Sequence, residues 1–145
     1  MINASDIKRT VWKAFVLFIF GAVAYSAVEI AWRGYTYYSM AVLGGFLFVL
    51  IGGLNEFLPW DMSIILQGLI GSVVVTIAEL LVGIILNMCL GLHVWDYSNM
   101  PFNFLGQICP QFSLAWFGLS IVAIILDDFL RHWLFEEEYP RYHLF

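Results

Sequence analysis

The chain has 145 residues, 62% of them hydrophobic and 12% charged, with a formal net charge of −5. Soluble domains hold roughly 25% charged residues, and a small globule hides only about two-thirds of the surface its unfolded chain exposes, so this composition excludes a water-soluble fold. It also excludes nucleic acid as a partner, because no basic stripe is present to neutralise phosphates.

What remains is an all-α polytopic membrane protein: a four-helix transmembrane bundle with a short re-entrant or interfacial helix between spans three and four. Four spans of ~20 residues would use most of the chain in one membrane domain, 1–145. Span one is expected over 11–33. Ala22-Val23-Ala24 imitates a signal-peptide cleavage box, but the apolar run continues past it, which argues for a retained span. Gly21, Tyr25, Glu29 and Arg33 fall four apart and share a helix face, where Glu29 and Arg33 are spaced to pair. Span two is expected over 40–58, stopped by Pro59, which cannot continue a helix interior. Its Gly44, Gly45, Gly52 and Gly53 read as a packing face, and Asn55-Glu56 forms a second polar cluster.

Span three, 64–90, is longer than the ~20 residues a bilayer needs, so it tilts or projects. Gln67, Gly71, Glu79, Gly83 and Asn87 recur along it at multiples of four, with Val75 filling the gap and Gly68, Ser72 and Thr76 alongside. Such a stripe of small and polar residues faces protein or a cavity, not lipid. Glu79 is the deepest acid and has no basic partner on its own helix. A charge near the bilayer centre costs ~2.5–3.5 kcal/mol on insertion scales, so Glu79 needs a partner or a purpose.

The loop from Leu92 to Phe112 is the least ordinary stretch. Pro101 suits a first helical turn and Pro110 an end, which predicts a helix over 101–109, ~13 Å long and too short to span. Asn99, Asn103 and Gln107 would share one face of it. Span four is expected over 113–134, with Ser113 as N-cap and an Asp127–Arg131 pair making its polar end tolerable. Glu136-Glu137-Glu138 reads as a solvated tail. With Lys8, Arg9, Lys13, Arg131 and Arg141 on one side and Arg33 on the other, the positive-inside rule places both termini in the cytoplasm. Trp12, Trp32, Trp60, Trp95, Trp116 and Trp133 near span ends read as an aromatic belt.

Chemistry-bearing patterns are sparse. Cys89 and Cys109 read as two free thiols. His93, His132 and His143 are scattered, short of the four ligands of a structural zinc site, so no metal or cofactor is expected. No Gly-rich loop followed by Lys-Ser/Thr is present, so the chain has no P-loop. No nucleophile has a base at meaningful spacing, so no enzyme is expected. Asp96 with His93 at headgroup depth is the weakest alternative.

Tyr25-Ser26 with Glu29 and Arg33, Ser39-Met40 before Gly44-Gly45, and Asn55-Glu56 resemble one bacterial family. So does the loop Trp95-Asp96-Tyr97-Ser98, Pro101, Asn103, Gly106-Gln107-Ile108-Cys109. It is the family of ABC-transporter type IV membrane proteins, and the resemblance covers most of the chain. It implies a multi-pass protein of the bacterial inner membrane with a permease-like role.

Read from the residues, the leading expectation is a permease- or pore-like protein handling a small solute or ion. It would act as a homo-oligomer or with a membrane partner subunit. A polar cavity towards the extracytoplasmic side would be lined by Tyr25, Glu29, Arg33, Glu79, Asn87, Asp96, Asn99, Asn103 and Gln107. The alternative is a non-transporting scaffold, accessory subunit or lipid-interacting protein, in which the same residues hold helices together.

Overall fold

The computed structural model describes residues 3–59 and 61–145, which form helices joined by turns, with no strand among them. Helix α1 is Ala4–Arg33, α2 Tyr38–Gly52, α3 Leu54–Phe57, α4 Ile64–Gly83 and α5 Pro110–Phe135. Four helices are long and apolar enough to cross a bilayer: α1, α2 with α3, α4 with its extension, and α5. The chain is a membrane protein of the expected all-α class.

The helix ends follow from local chemistry. Helix α1 begins before its apolar run, carrying Asp6 in its first turn, where a negative charge suits the helix dipole. It ends at Gly34, whose φ of 83° is left-handed and whose N–H bonds Ile30 O at 2.8 Å. Leu58, extended as a residue before proline must be, ends α3 ahead of Pro59. Ser63 caps α4, its Oγ accepting from Leu66 N at 3.2 Å. Beyond Gly83, α4 continues as a π-helical turn, Ile84–Cys89, which periodicity did not foretell.

Two expectations in the polar half are corrected. Ser113 is not an N-cap, because α5 begins at Pro110 and the Ser113 N–H already bonds Cys109 O at 3.0 Å. Proline is at home there, since a first-turn N–H lacks an intrahelical partner anyway. The predicted helix over 101–109 is instead a chain of turns. Asn103 explains why. Its Nδ2 donates to Ser98 O (3.1 Å) and Met100 O (2.9 Å), and its Oδ1 accepts from Gly106 N at 3.0 Å. A side chain that binds local backbone groups this way competes with the helix for them. Phe102 (φ 57°), Leu105 (φ 53°) and Gly106 (φ 68°) are left-handed, which breaks any helical run.

Packing divides the chain into two compact units. The first is Met1–Pro59 with Ala123–Arg141, the second Trp60–Val122 with Tyr142–Phe145. In the first unit α1 and α2 lie as a close hairpin, with Leu17 fully buried. The contact works because each helix presents a glycine where the other presents an aromatic ring. Gly21 lies against Phe48 and Gly45 against Phe18, where an added Cβ would sit 2.7 Å from the ring. In the second unit α4 packs on the first half of α5, with Gly68 receiving Ile121 and Phe117. The C-terminal tail returns to this unit, His143 O accepting the first amide of α4, Ile64 N, at 2.8 Å.

Replacing Gly45 by Leu should overpack the α1–α2 contact and cost about 1–3 kcal/mol, the usual range for added bulk in a packed interior. The same substitution at exposed Val42 should be neutral. Thermal unfolding of the two variants in detergent checks the contrast.

Candidate functional site

In the second unit the α4 stripe is buried from end to end: Gln67, Gly71, Val75, Glu79, Gly83 and Asn87. A four-residue step advances about 40° beyond a full turn of an α-helix, so the stripe winds around α4. Its early part meets α5. Ser72 Oγ donates to Ser113 O (2.6 Å), and Thr76 Oγ1 shares a hydrogen bond with Ser113 Oγ (2.9 Å). Its late part meets the loop. The π turn bonds five residues apart, so the step from Gly83 to Asn87 comes close to one full turn and keeps Asn87 in line.

Each late rung of the stripe receives a loop residue. Glu79, 3% exposed, accepts from Tyr97 Oη on Oε1 (2.9 Å) and from Trp116 Nε1 on Oε2 (3.0 Å). Tyr97 is held flat on Phe112, rings 4.5 Å apart. Gly83 leaves room for Trp95 and Gln107, since a Cβ there would come within 2.5 Å of Gln107 Oε1. Asn87 Nδ2 donates to Gln107 Oε1 (2.8 Å), while its Oδ1 accepts from Val94 N (2.7 Å). Trp95 Nε1 donates to Gln107 O at 3.0 Å. The loop is thereby a fixed cap on the end of α4.

These contacts revise several readings. Trp95 and Trp116 are not belt residues, because both indoles spend their N–H inside the protein. Trp12, Trp32 and Trp133 are exposed, as a belt requires. Trp60 lies outside the described residues. Without a helix, Asn99, Asn103 and Gln107 share no face: Asn103 braces the turns, Gln107 enters the cap and Asn99 is exposed. Asp96 is solvent-exposed, and the hydroxyl and amide of Ser98 donate to it, holding its carboxyl below the usual range. Cys89 and Cys109 are free thiols, the first exposed and the second buried.

In the first unit the other predicted residues fall into two groups. At the α1–α2 turn Arg33 donates to Glu29 at 2.6 Å, as the spacing foretold, and Thr36 also bonds Glu29. The Arg33 guanidinium lies over the Tyr35 ring at 4.7 Å, and Tyr25 packs against Gly44. At the end of α3, Asn55 Nδ2 donates to Asp128 Oδ2 (2.8 Å), both buried. Arg131 Nε donates to fully buried Asp127 at 2.6 Å and lies 3.9 Å from both Glu56 and Glu137. Glu137 also pairs with Lys13, so one member of the acidic tail is not merely solvated. A turn at Glu136 (φ 58°) swings it back over the helix end.

Sequence reasoning missed Tyr97 and Trp116 as partners of Glu79, and Asp128 as the partner of Asn55. Each lies on another segment, where no periodicity reaches. The one available signal was chemical: a deep acid requires donors, and Tyr and Trp are the apolar residues that carry one. Among the described residues no cluster of three or more His, Cys, Asp or Glu could hold a metal ion.

Replacing Glu79 by Leu should take the acceptor from the Tyr97 hydroxyl and the Trp116 indole and cost ~1–3 kcal/mol for each bond lost. Gln should retain most of the stability, accepting from Trp116 and donating to a rotated Tyr97 hydroxyl. Arg131→Met should cost ~3–5 kcal/mol by stranding the Asp127 carboxylate, and adding Asp127→Asn should restore part of that loss. Unfolding midpoints of the purified variants check both orders.

Residues 7–139 match the model of a family described as "Putative ABC-transporter type IV". No curated protein and no solved structure matches the chain.

Proposed function

Because the chain belongs to the ABC-transporter type IV family, we propose that it is a membrane-embedded, non-nucleotide-binding subunit of a transport assembly, with polar residues that hold it in shape instead of lining a solute path of its own. One observation carries this reading: both carboxylate oxygens of Glu79, the deepest acid of α4, are taken by donors from Tyr97 and Trp116. The same economy holds for Asn87, which spends both ends of its amide on the cap. A conducting or binding site would need such groups turned towards its solute. Four spans and no P-loop further suit a subunit that draws on a partner for energy. The family argues for the inner membrane, and the basic residues argue for both termini cytoplasmic.

The test is flux from the purified chain alone in liposomes, read with pH- and potential-sensitive dyes. The expected result is leakage no greater than from empty vesicles, and no change with Glu79→Gln. Flux above background that falls with Glu79→Gln, at unchanged folding, would favour a self-contained permease with Glu79 in its path.

A further inference from the structure

The loop that caps α4 has two faces of opposite character. One holds the buried residues Val94, Trp95, Gln107 and Cys109. The other presents Phe102, Phe104 and Leu105 to the outside, Phe102 at 90% exposure. From Tyr97 to Cys109 the sequence has no charged residue.

Phe102 and Leu105 both have left-handed backbones, a conformation unfavourable for any residue with a side chain. The surrounding hydrogen bonds hold them there, so the apolar tip is displayed, not collapsed. The loop also consumes its own backbone. Most of the N–H groups from Tyr97 to Ile108 donate within it, including Phe104 N to Ile108 O (2.9 Å), Gln107 N to Phe104 O (3.0 Å) and Tyr97 N to Gly106 O (2.7 Å). Its amides do likewise, Gln107 Nε2 donating to Leu105 O at 3.0 Å.

We infer that this tip inserts into the interfacial layer of the bilayer, folding down beside the ends of α4 and α5, with lipid as its occupant. The hydrocarbon beneath the headgroups offers no donors or acceptors, so a segment dipping towards it is favoured when its backbone is satisfied internally, as this loop's largely is. A protein partner would make that self-sufficiency unnecessary, and docking surfaces usually offer it polar or charged anchors at the rim. The tip is moreover continuous with surface already facing lipid. Ile85 and Met88 on the π turn and Leu114 at the start of α5 are exposed, and the loop joins these two segments. Asp96, exposed on the same loop beside Ser98 and Gly106, would stay at headgroup level, where water reaches it.

The experiment places an environment-sensitive bimane label on Phe102→Cys, and separately on Phe104→Cys, in the full chain reconstituted into lipid nanodiscs. Cys89→Ser removes the exposed native thiol, and Glu138→Cys serves as the aqueous reference. Insertion gives blue-shifted emission at both tip positions. Quenching there is several-fold stronger by nitroxides on the headgroup or upper acyl chain than by iodide, whereas Glu138→Cys shows the reverse. Iodide-accessible, water-like emission at both tip positions would overturn the inference. So would a blue shift appearing only when other proteins of the native membrane are added, since the occupant would then be a partner.

Discussion

Everything in this fold depends on one constraint: a polar group inside an apolar span has no water to turn to, and must find its partner within the protein. Glu79 shows it most plainly. It sits among residues that would otherwise favour lipid, and it draws a tyrosine from the loop and a tryptophan from α5 onto its two oxygens. The loop is where it is because Glu79 and Asn87 need donors and acceptors there. Asp127 and Asp128 impose the same demand at the far end of α5, and recruit Arg131 and Asn55.

That constraint also sets what could be read from sequence. Pairs within one helix were legible, because a four-residue spacing fixes geometry: Glu29 with Arg33 and Asp127 with Arg131 both form. The buried stripe of α4 was legible for the same reason. Partners on other segments were not. Asn55 and Asp128 lie 73 residues apart, and only the packing of α3 on α5 joins them. The cap is not the helix its two prolines predict, because the local bonding of Asn103, which leaves no periodic mark in the sequence, wins over it. The π turn escaped because its cause, keeping Asn87 facing the cap, lies outside its own sequence.

The close α1–α2 hairpin solves a different problem. Between helices in lipid, apolar contact brings no hydrophobic gain, so association rests on fit. Glycines opposite aromatic rings supply that fit, bringing the backbones near enough for dispersion to act over a large contact. The glycine contacts thereby set the distance between α1 and α2.

The first unit is assembled from both ends of the chain, which bears on how the protein is made. While the later helices are still on the ribosome, α1 and α2 stand in the membrane with Lys13, Asn55 and Glu56 still waiting for α5. Helix α5 enters last and carries two neighbouring acids that lipid resists. It meets a neighbour already furnished with Asn55 to receive Asp128, and with a gap at Gly52 shaped around Asp127. The early hairpin thus serves as a template for inserting the late helix. The bond between Lys13 and Glu137 is a latch that closes only after α5 has joined α1 and α2, so the first unit stays unfinished until then.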